Sequence, residues 1–237
     1  MSQGSSTTDL TVPALAPAPA PVPGDVDEAL WLAVNREAKS SDESAAKVEE
    51  IRYLIMRGAS LTLTRGQSSE TLMGAAVRMK DDVTLRALLR EHADPNSPAS
   101  SGESLLSRAV YRARNSREDA LRVIETLLEF GADPMFRDEE GETALEHAVM
   151  YAGENALRLL LNEANRMGQL DTTIALRLCT LAITHEDPDK LEMLLRIRRG
   201  LLTKDLIQKL VMVAFKHPAY NDCLDVLRDV ALMLGFL

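Results

Sequence analysis

A two-residue phrase recurs along the chain at intervals of 32 to 43 residues, and this repetition constrains the fold more than any other feature. In each copy an alanine precedes an aliphatic or aromatic residue. The copies are Ala33-Val34, Ala76-Val77, Ala109-Val110, Ala148-Val149, Ala182-Ile183 and Ala214-Phe215. A period of this length indicates similar supersecondary units that are stacked side by side.

A second phrase closes each of the first four units, where paired aliphatic residues precede a Gly-Ala-Asp-like turn. The copies are Gly58-Ala59-Ser60, His92-Ala93-Asp94, Gly131-Ala132-Asp133 and Glu163-Ala164-Asn165. The two phrases lie farthest apart in units one and three. We therefore expect the extra residues of those units to lie between their two helices, where solvent tolerates insertions.

Local signals within the units indicate helices with defined ends. Thr143 stands before an apolar stretch, with Glu146 three residues later, which is the spacing of a reciprocal N-terminal capping box. Residues 118–130 repeat aliphatic side chains every three or four positions, and Gly131 follows where a left-handed residue often ends a helix. Aromatic residues make up only 4% of the chain, which favours helices over sheets. Since one helix pair cannot bury its own apolar face, the units must stack.

These residues resemble the ankyrin repeat, whose units carry a glycine, then Thr-Pro-Leu-His-x-Ala, a second helix and Gly-Ala-Asp. The best match runs from Gly141 to Ala148 and keeps the Gly, Thr, Leu and Ala, while Ala144 and Glu146 replace the proline and histidine. The resemblance covers about residues 25–200 and is strongest over residues 66–166. It implies an all-α fold, an ankyrin-like α-solenoid of about five helix-pair repeats with a helical C-terminal cap.

The composition divides the chain into three parts. Residues 1–24 form a Ser/Pro/Ala-rich tail, residues 25–200 the repeats, and residues 201–237 the capping helices. Alternating prolines remove backbone donors and leave little apolar surface to bury, so we expect the tail to be a disordered, solvated linker. Two alternatives are a ligand for a proline-recognition domain and a secretion signal of the bacterial type III kind, which such polar N-termini resemble.

The charge and hydropathy exclude several kinds of partner. The net charge of −9 disfavours nucleic acid and anionic membranes, and no apolar run is long enough to span a bilayer. The first 24 residues contain no Lys or Arg and no continuous apolar run, so a secretory signal peptide is not expected. We expect a cytoplasmic, monomeric protein whose partner is another protein.

The sequence offers no recognisable catalytic chemistry. It contains no G-x-S-x-G element, phosphate-binding loop or dinucleotide fingerprint. The run from His185 to Asp189 is interpreted as a turn between helices, and Cys179 and Cys223 as reduced, buried thiols. We therefore expect a protein that is not an enzyme, with no catalytic residue, no cofactor and no metal site.

The resemblance also implies where a partner would bind, because ankyrin domains use the inner surface of each first helix and the hairpin fingers between repeats. The first-helix positions are Arg78, Met79, Tyr111, Arg112, Met150 and Tyr151, and the finger positions are Phe136, Arg137, Glu139 and Glu140. An Arg/Tyr/Met groove bordered by Glu-rich fingers would suit a mixed-charge helix or loop of another protein. The alternative interpretation is that Met79, Tyr111 and Met150 are ordinary core and the arginines are solvated surface.

The predicted function is that of a scaffold or adaptor that binds a partner protein through the concave face and the fingers of the array. The alternative is a secreted bacterial effector that captures a host protein and uses the N-terminal tail as its export signal. The sequence does not identify the partner, the organism or the pathway.

Overall fold

The computed structural model describes residues 26–100, 102–114, 118–197, 201–216 and 220–236. The helices are α1 (Val26–Asn35), α2 (Ser41–Met56), α3 (Leu72–Met79), α4 (Asp82–Arg90), α5 (Leu105–Arg112), α6 (Glu118–Glu129), α7 (Ala144–Tyr151), α8 (Glu154–Arg166), α9 (Thr172–Thr184), α10 (Pro188–Ile197), α11 (Lys204–Ala214) and α12 (Asn221–Met233). The strands are β1 (Thr64–Arg65), β2 (Glu70–Thr71), β3 (Pro98–Ser100) and β4 (Glu103–Ser104). The tail, residues 1–24, lies outside the described residues, so its roles as a linker, Pro-motif ligand or secretion signal stay predictions.

The helices stack in two rows. Each odd-numbered helix from α1 to α9 packs against the next odd-numbered helix, and each even-numbered helix from α2 to α10 packs against the next even-numbered one. Each odd-numbered helix also packs against the helix that follows it in the chain. We call these layers the first-helix row and the second-helix row. The expected all-α solenoid is confirmed, and α11 and α12 stack as a sixth pair.

The alanine of the repeated phrase explains how closely the units pack. All six of these alanines are at most 2% exposed. A methyl side chain at this position lets the backbone of a neighbouring helix approach without leaving a cavity. The chain thus forms one continuous core that runs through every unit.

Hydroxyl caps start the first helices of three successive units. Thr71, Ser104 and Thr143 each accept a hydrogen bond from the backbone N–H three residues farther along α3, α5 and α7. At Thr143 the predicted capping box is complete, because the Glu146 carboxylate accepts a hydrogen bond from the Thr143 N–H. Gly131 has a φ of 88° just after α6, as the helix-ending role predicted for it requires.

Hairpin fingers join the early units and fade toward the C-terminus. Finger 1 (residues 64–71) and finger 2 (residues 98–104) each contain an antiparallel strand pair, and finger 3 (residues 137–143) keeps only a single bridge between Arg137 and Thr143. Among the described residues, the connection 167–171 between α8 and α9 has no strand at all. The finger side of the solenoid is therefore confined to its first four units.

Two buried lysines tie units together. Lys47 is almost fully buried, and its Nζ atom donates to the carbonyl oxygens of Val34 (2.9 Å) and Arg36 (2.7 Å) at the end of α1. The same atom contacts Asp81 Oδ2 at 2.8 Å, and the Asp81 carboxylate also caps α4 through Thr84. Burial raises the pKa of Asp81, but the hydrogen bonds from Lys47 and Thr84 outweigh it and hold that pKa below its ordinary value.

The second buried lysine repeats this arrangement farther along the chain. Lys190 Nζ donates to the Val149 carbonyl oxygen (2.8 Å) in the last turn of α7 and lies 3.0 Å from Asp187 Oδ2. In both cases an ammonium group satisfies carbonyls that the helix leaves unpaired and opposes the negative end of its dipole.

Gly74 occupies a helical position in α3 that requires the absence of a side chain. A Cβ atom added there would overlap the carbonyl oxygen of Ala99, because β3 crosses directly over the start of the helix. Thr71 holds the strand in place, since its hydroxyl donates to the carbonyl oxygens of Pro98 (3.0 Å) and Ala99 (3.2 Å). Close contact between units two and three thus outweighs the cost of glycine in a helix.

Replacement of Gly74 with alanine should therefore destabilise the protein. Gly→Ala in a helix ordinarily stabilises by about 1 kcal/mol. Here we expect a loss of about 1–3 kcal/mol, because the new methyl group must push β3 away from α3. Urea denaturation followed by circular dichroism measures the change, and its sign is decisive. An increase in the free energy of unfolding would show that β3 does not approach Gly74 so closely.

The Lys47–Asp81 pair should make stability depend on acid. Because the Asp81 pKa is lowered in the folded state, the carboxylate stabilises the fold above its ordinary pKa and loses that contribution as the pH falls through the folded value. Asp81→Asn should therefore be less stable than the wild type near neutral pH, and the difference should shrink below about pH 5. Thermal unfolding at a series of pH values measures it.

The control is Asp42→Asn, which removes the same charge from the exposed first turn of α2. Its stability should follow the wild-type curve across the same pH range. A constant gap between wild type and Asp81→Asn at every pH would contradict the assignment.

Candidate protein-binding surface

The ten residues predicted to bind a partner lie at opposite ends of the first helices. Six of them end α3, α5 and α7, whereas residues 136–140 belong to the segment that leads into the start of α7. The eight residues of α7 span about 12 Å, which separates the two groups. A single contact surface therefore needs side chains that bridge this distance.

Five side chains form a connected set, which we call the aromatic cluster. Four lie at or just beyond the C-terminal ends of α5, α7 and α9, and the fifth lies in the middle of α7. They are Tyr111, Arg114, Tyr151, His185 and, in mid-helix, His147. The Tyr111 and Tyr151 rings meet edge to face, with centroids 6.5 Å apart. The Tyr151 ring also meets His147 at 6.0 Å and His185 at 6.4 Å. The Arg114 guanidinium lies 5.6 Å and 5.9 Å from the centroids of the two tyrosine rings.

The tyrosine rings of the aromatic cluster are ordered and yet open to solvent. Tyr111 is 53% exposed and Tyr151 is 40% exposed. Each edge-to-face contact contributes about 0.5–1.5 kcal/mol, and each exposed cation–π contact about 0.5–1 kcal/mol. These contacts restrict the side chains before any partner arrives, so less entropy is lost on binding.

His147 lies between finger 3 and the other members of the aromatic cluster. Its Nε2 atom lies 2.8 Å from Glu142 Oε2, without the orientation of a hydrogen bond, and 3.7 Å from Asp138 Oδ2. The imidazole of His147 also contacts the Tyr151 ring edge to face. The mostly buried imidazole of His147 thus lies between Glu142 of finger 3 and the Tyr151 ring.

Arg78 is partly exposed, but its guanidinium group is held by contacts within the molecule. Its guanidinium donates to Asn35 Oδ1 at 2.6 Å and to Glu70 Oε1 at 3.0 Å. Arg108 contacts the same Glu70 oxygen at 3.0 Å and Glu103 Oε2 at 2.8 Å. This network joins three successive units, so Arg78 contributes to the stack of repeats.

The other predicted residues differ in exposure. Met79 and Met150 are half-buried. The exposed ones are Tyr111, Arg112, Phe136, Arg137, Glu139, Glu140 and Tyr151. Tyr111 thus lies on the surface, whereas the two methionines stand between surface and core.

Sequence reasoning did not assign Arg114 or His147 to the predicted binding surface. The resemblance does place His185 at the first-helix position of unit five, three residues after Ala182 just as Tyr151 stands three residues after Ala148. No sequence pattern marks Arg114 as a binding residue, because it belongs to the extra residues of unit three. The direction of its side chain depends on how that turn folds.

The described part of the chain contains two buried cysteines. Burial raises the pKa of the Cys179 thiol to about 12, and burial together with nearby carboxylates raises that of Cys223 to about 11. Both cysteines are free, as expected, and their thiols stay protonated near neutral pH. The described residues contain no group of three or more His, Cys, Asp or Glu side chains that could hold a metal ion. None of the described helices is long and apolar enough to cross a membrane.

Comparison with known proteins bears directly on this architecture. Residues 72–173, from the start of α3 into the first turn of α9, match the family model described as ankyrin repeats (3 copies). Over 118 residues, 49% of this chain, the sequence is 32% identical to SH3 and multiple ankyrin repeat domains protein 2 of Homo sapiens. The match covers only 6% of the length of that human protein.

Ankyrin repeats generally act as protein–protein interaction modules, and the family is typically not enzymatic. The stacked helix pairs, the hydroxyl-capped first helices and the fingers agree with the family match over residues 72–173. Residues 72–173 are therefore ankyrin repeats.

Proposed function

We propose that this protein is an interaction scaffold or adaptor that binds a partner protein through the aromatic cluster and the adjoining finger 3. The observation that carries the proposal is the pair of exposed tyrosines, Tyr111 and Tyr151, which contact each other across two units beneath one arginine. Both rings lie at helix ends and are partly exposed to solvent.

The residue types in the cluster support binding. Tyrosine and arginine are enriched among the residues that dominate protein interfaces, because they combine apolar area with directional polar groups. Each tyrosine has few torsion angles to fix, and both stand on helices that the solenoid holds rigid. A partner can therefore bury the two rings at a small cost in conformational entropy.

The charges on either side of the cluster indicate what kind of segment would bind. Arg112 and Arg114 lie at one end, and the carboxylates of Glu139, Glu140 and Glu142 lie at the finger end. An arginine favours a planar carboxylate, whereas the finger carboxylates favour a basic side chain. The partner segment should be a mixed-charge helix or loop, with its acidic end at the arginines and an apolar side chain over the tyrosines.

The human protein to which this chain is similar is named for its multiple ankyrin repeats. That match supports a binding role for the repeats of this chain. The match covers a small part of the human protein, so we infer the kind of partner from the surface of this chain alone.

The test of the proposal is the double variant Tyr111→Ala/Tyr151→Ala. Proteins that the wild type retains in affinity capture should be lost, and the purified complex should be weakened at least about tenfold, because the two rings form the centre of the contact. The variant should remain folded at the assay temperature, with a melting temperature lowered by the loss of the ring contacts. Quantitative mass spectrometry of the captured proteins, followed by titration of the purified partner, measures the effect.

Tyr53→Ala is the matched control, because Tyr53 is 43% exposed and contacts Arg57 but lies on α2 in the second-helix row. It should retain the same partners as the wild type. Wild-type affinity in the double variant, or equal losses in Tyr53→Ala, would contradict the proposed surface.

Two arginines of the predicted set should separate folding from binding. Arg78→Ala should lower the free energy of unfolding by about 1–2 kcal/mol, because Glu70 and Asn35 lose their charged donor. Arg112→Ala should change it by less than about 0.5 kcal/mol, since the side chain is exposed, but should weaken partner binding. Chemical denaturation of both variants measures the first effect. An Arg78→Ala protein as stable as the wild type would show that the network is not structural.

A further inference from the structure

Two carboxylates of finger 3 converge on one buried nitrogen atom of α7. The Nε2 atom of His147 lies 2.8 Å from Glu142 Oε2 and 3.7 Å from Asp138 Oδ2. This nitrogen is removed from water and makes no well-oriented hydrogen bond. A neutral imidazole leaves the two negative charges to repel each other, whereas an imidazolium pairs with both. The charge of His147 therefore decides how the two carboxylates are engaged.

The same two carboxylates have different roles in finger 3. The Asp138 side chain is only 3% exposed, and its Oδ1 atom accepts hydrogen bonds from the backbone N–H groups of Glu140 (3.1 Å) and Glu142 (2.9 Å). The Glu142 side chain, by contrast, is 38% exposed. Asp138 thus holds the turn of the finger, and Glu142 is accessible to a partner. A charge on His147 acts on both.

Other charged side chains around α7 have partners of their own or are exposed. On α7 itself, Glu146 pairs with Arg177 of α9 at 2.7 Å. The remaining charged side chains of the helices packed against α7 are Arg108 of α5, paired with Glu70 and Glu103, the exposed Arg112 of α5, and the α8 pairs Glu154–Arg158 and Glu163–Arg166. Beyond the helix ends, Arg114 and His185 contact the Tyr151 ring. In finger 3, Arg137, Glu139 and Glu140 are exposed.

We propose that His147 is a pH-sensitive switch that controls how finger 3 binds the basic part of a partner. A histidine side chain ordinarily changes its charge between about pH 5 and 8, where aspartate and glutamate are already ionised. In acid, the imidazolium pairs with Glu142 and Asp138 and withdraws them from a basic side chain of the partner. Above that range the neutral imidazole leaves Glu142 available. This inference rests on the proposed function, because it assigns a regulation to the same surface.

Nuclear magnetic resonance of the free 237-residue chain between about pH 5 and 8 tests the coupling without a partner. The backbone amides of Glu140, Gly141 and Glu142 should shift with the same midpoint as the His147 imidazole, because the carboxylates themselves are already ionised. His147→Gln should abolish this response of the finger. Glu142→Gln, which alters a partly exposed side chain, should reduce it. Circular dichroism checks that both variants remain folded.

His185→Gln is the matched control, because His185 contacts the same Tyr151 ring from the end of α9 rather than from α7. It should keep the full response of the finger amides. Amides that do not change across the range would overturn the proposal. So would amides that respond in His147→Gln as they do in the wild type.

The effect on binding is measured with N-acetylated pentalysine, whose ammonium groups stay charged between about pH 6 and 8. Its affinity for finger 3, followed through the amides of residues 139–142, should be about two- to fivefold weaker at the lower pH, the equivalent of one exposed ion pair. His147→Gln should largely lose this difference. Equal pH dependence in the wild type and His147→Gln would overturn the switch.

These outcomes are separable from those of the proposed function. Neither the amide titration nor the pentalysine titration uses a captured partner or alters Tyr111 and Tyr151. Wild-type partner affinity in Tyr111→Ala/Tyr151→Ala would therefore remove the aromatic surface while the coupling between His147 and finger 3 remained. Loss of that coupling would remove the switch while the aromatic surface remained.

Discussion

The whole structure depends on the close approach of neighbouring first helices over a row of alanines. Because Ala33, Ala76, Ala109, Ala148 and Ala182 are buried methyl groups, each unit lies near enough to cover the apolar face of the unit before it. No helix pair in such a stack has a core of its own. The fingers, the capped helix starts and the aromatic cluster are all positioned by this one spacing.

Polar contacts between units fix the register that apolar packing alone would leave loose. The Lys47 ammonium of unit one contacts Asp81, the residue that precedes α4. The Arg78–Glu70–Arg108 network joins three units. Each contact satisfies a group that is at least partly removed from water, so a slipped register would leave that group unpaired. Such contacts make one arrangement of the stack preferable to its neighbours.

The features that were predicted from the sequence are those set by residues close together in the chain. The Thr143–Glu146 capping box, the left-handed Gly131 and the two-helix period all follow from local spacing, and the structure contains them. The contact between Gly74 and Ala99 could not be predicted, because it depends on where finger 2 crosses α3. The place of Arg114 over the tyrosines likewise depends on the conformation of an irregular turn.

The disappearance of the fingers along the chain has a consequence for cooperativity. Units that a finger joins are linked by strand and backbone contacts in addition to their helices, as Glu139 shows when its N–H donates to the Gly102 carbonyl oxygen across two fingers. Beyond α8 no strand pair joins the described units, which are connected by helix packing and by side-chain contacts such as that of Lys190 with the Val149 carbonyl oxygen. Separating two described units beyond α8 therefore breaks no strand pairing, so the stack can open there at a smaller energetic cost than at a finger.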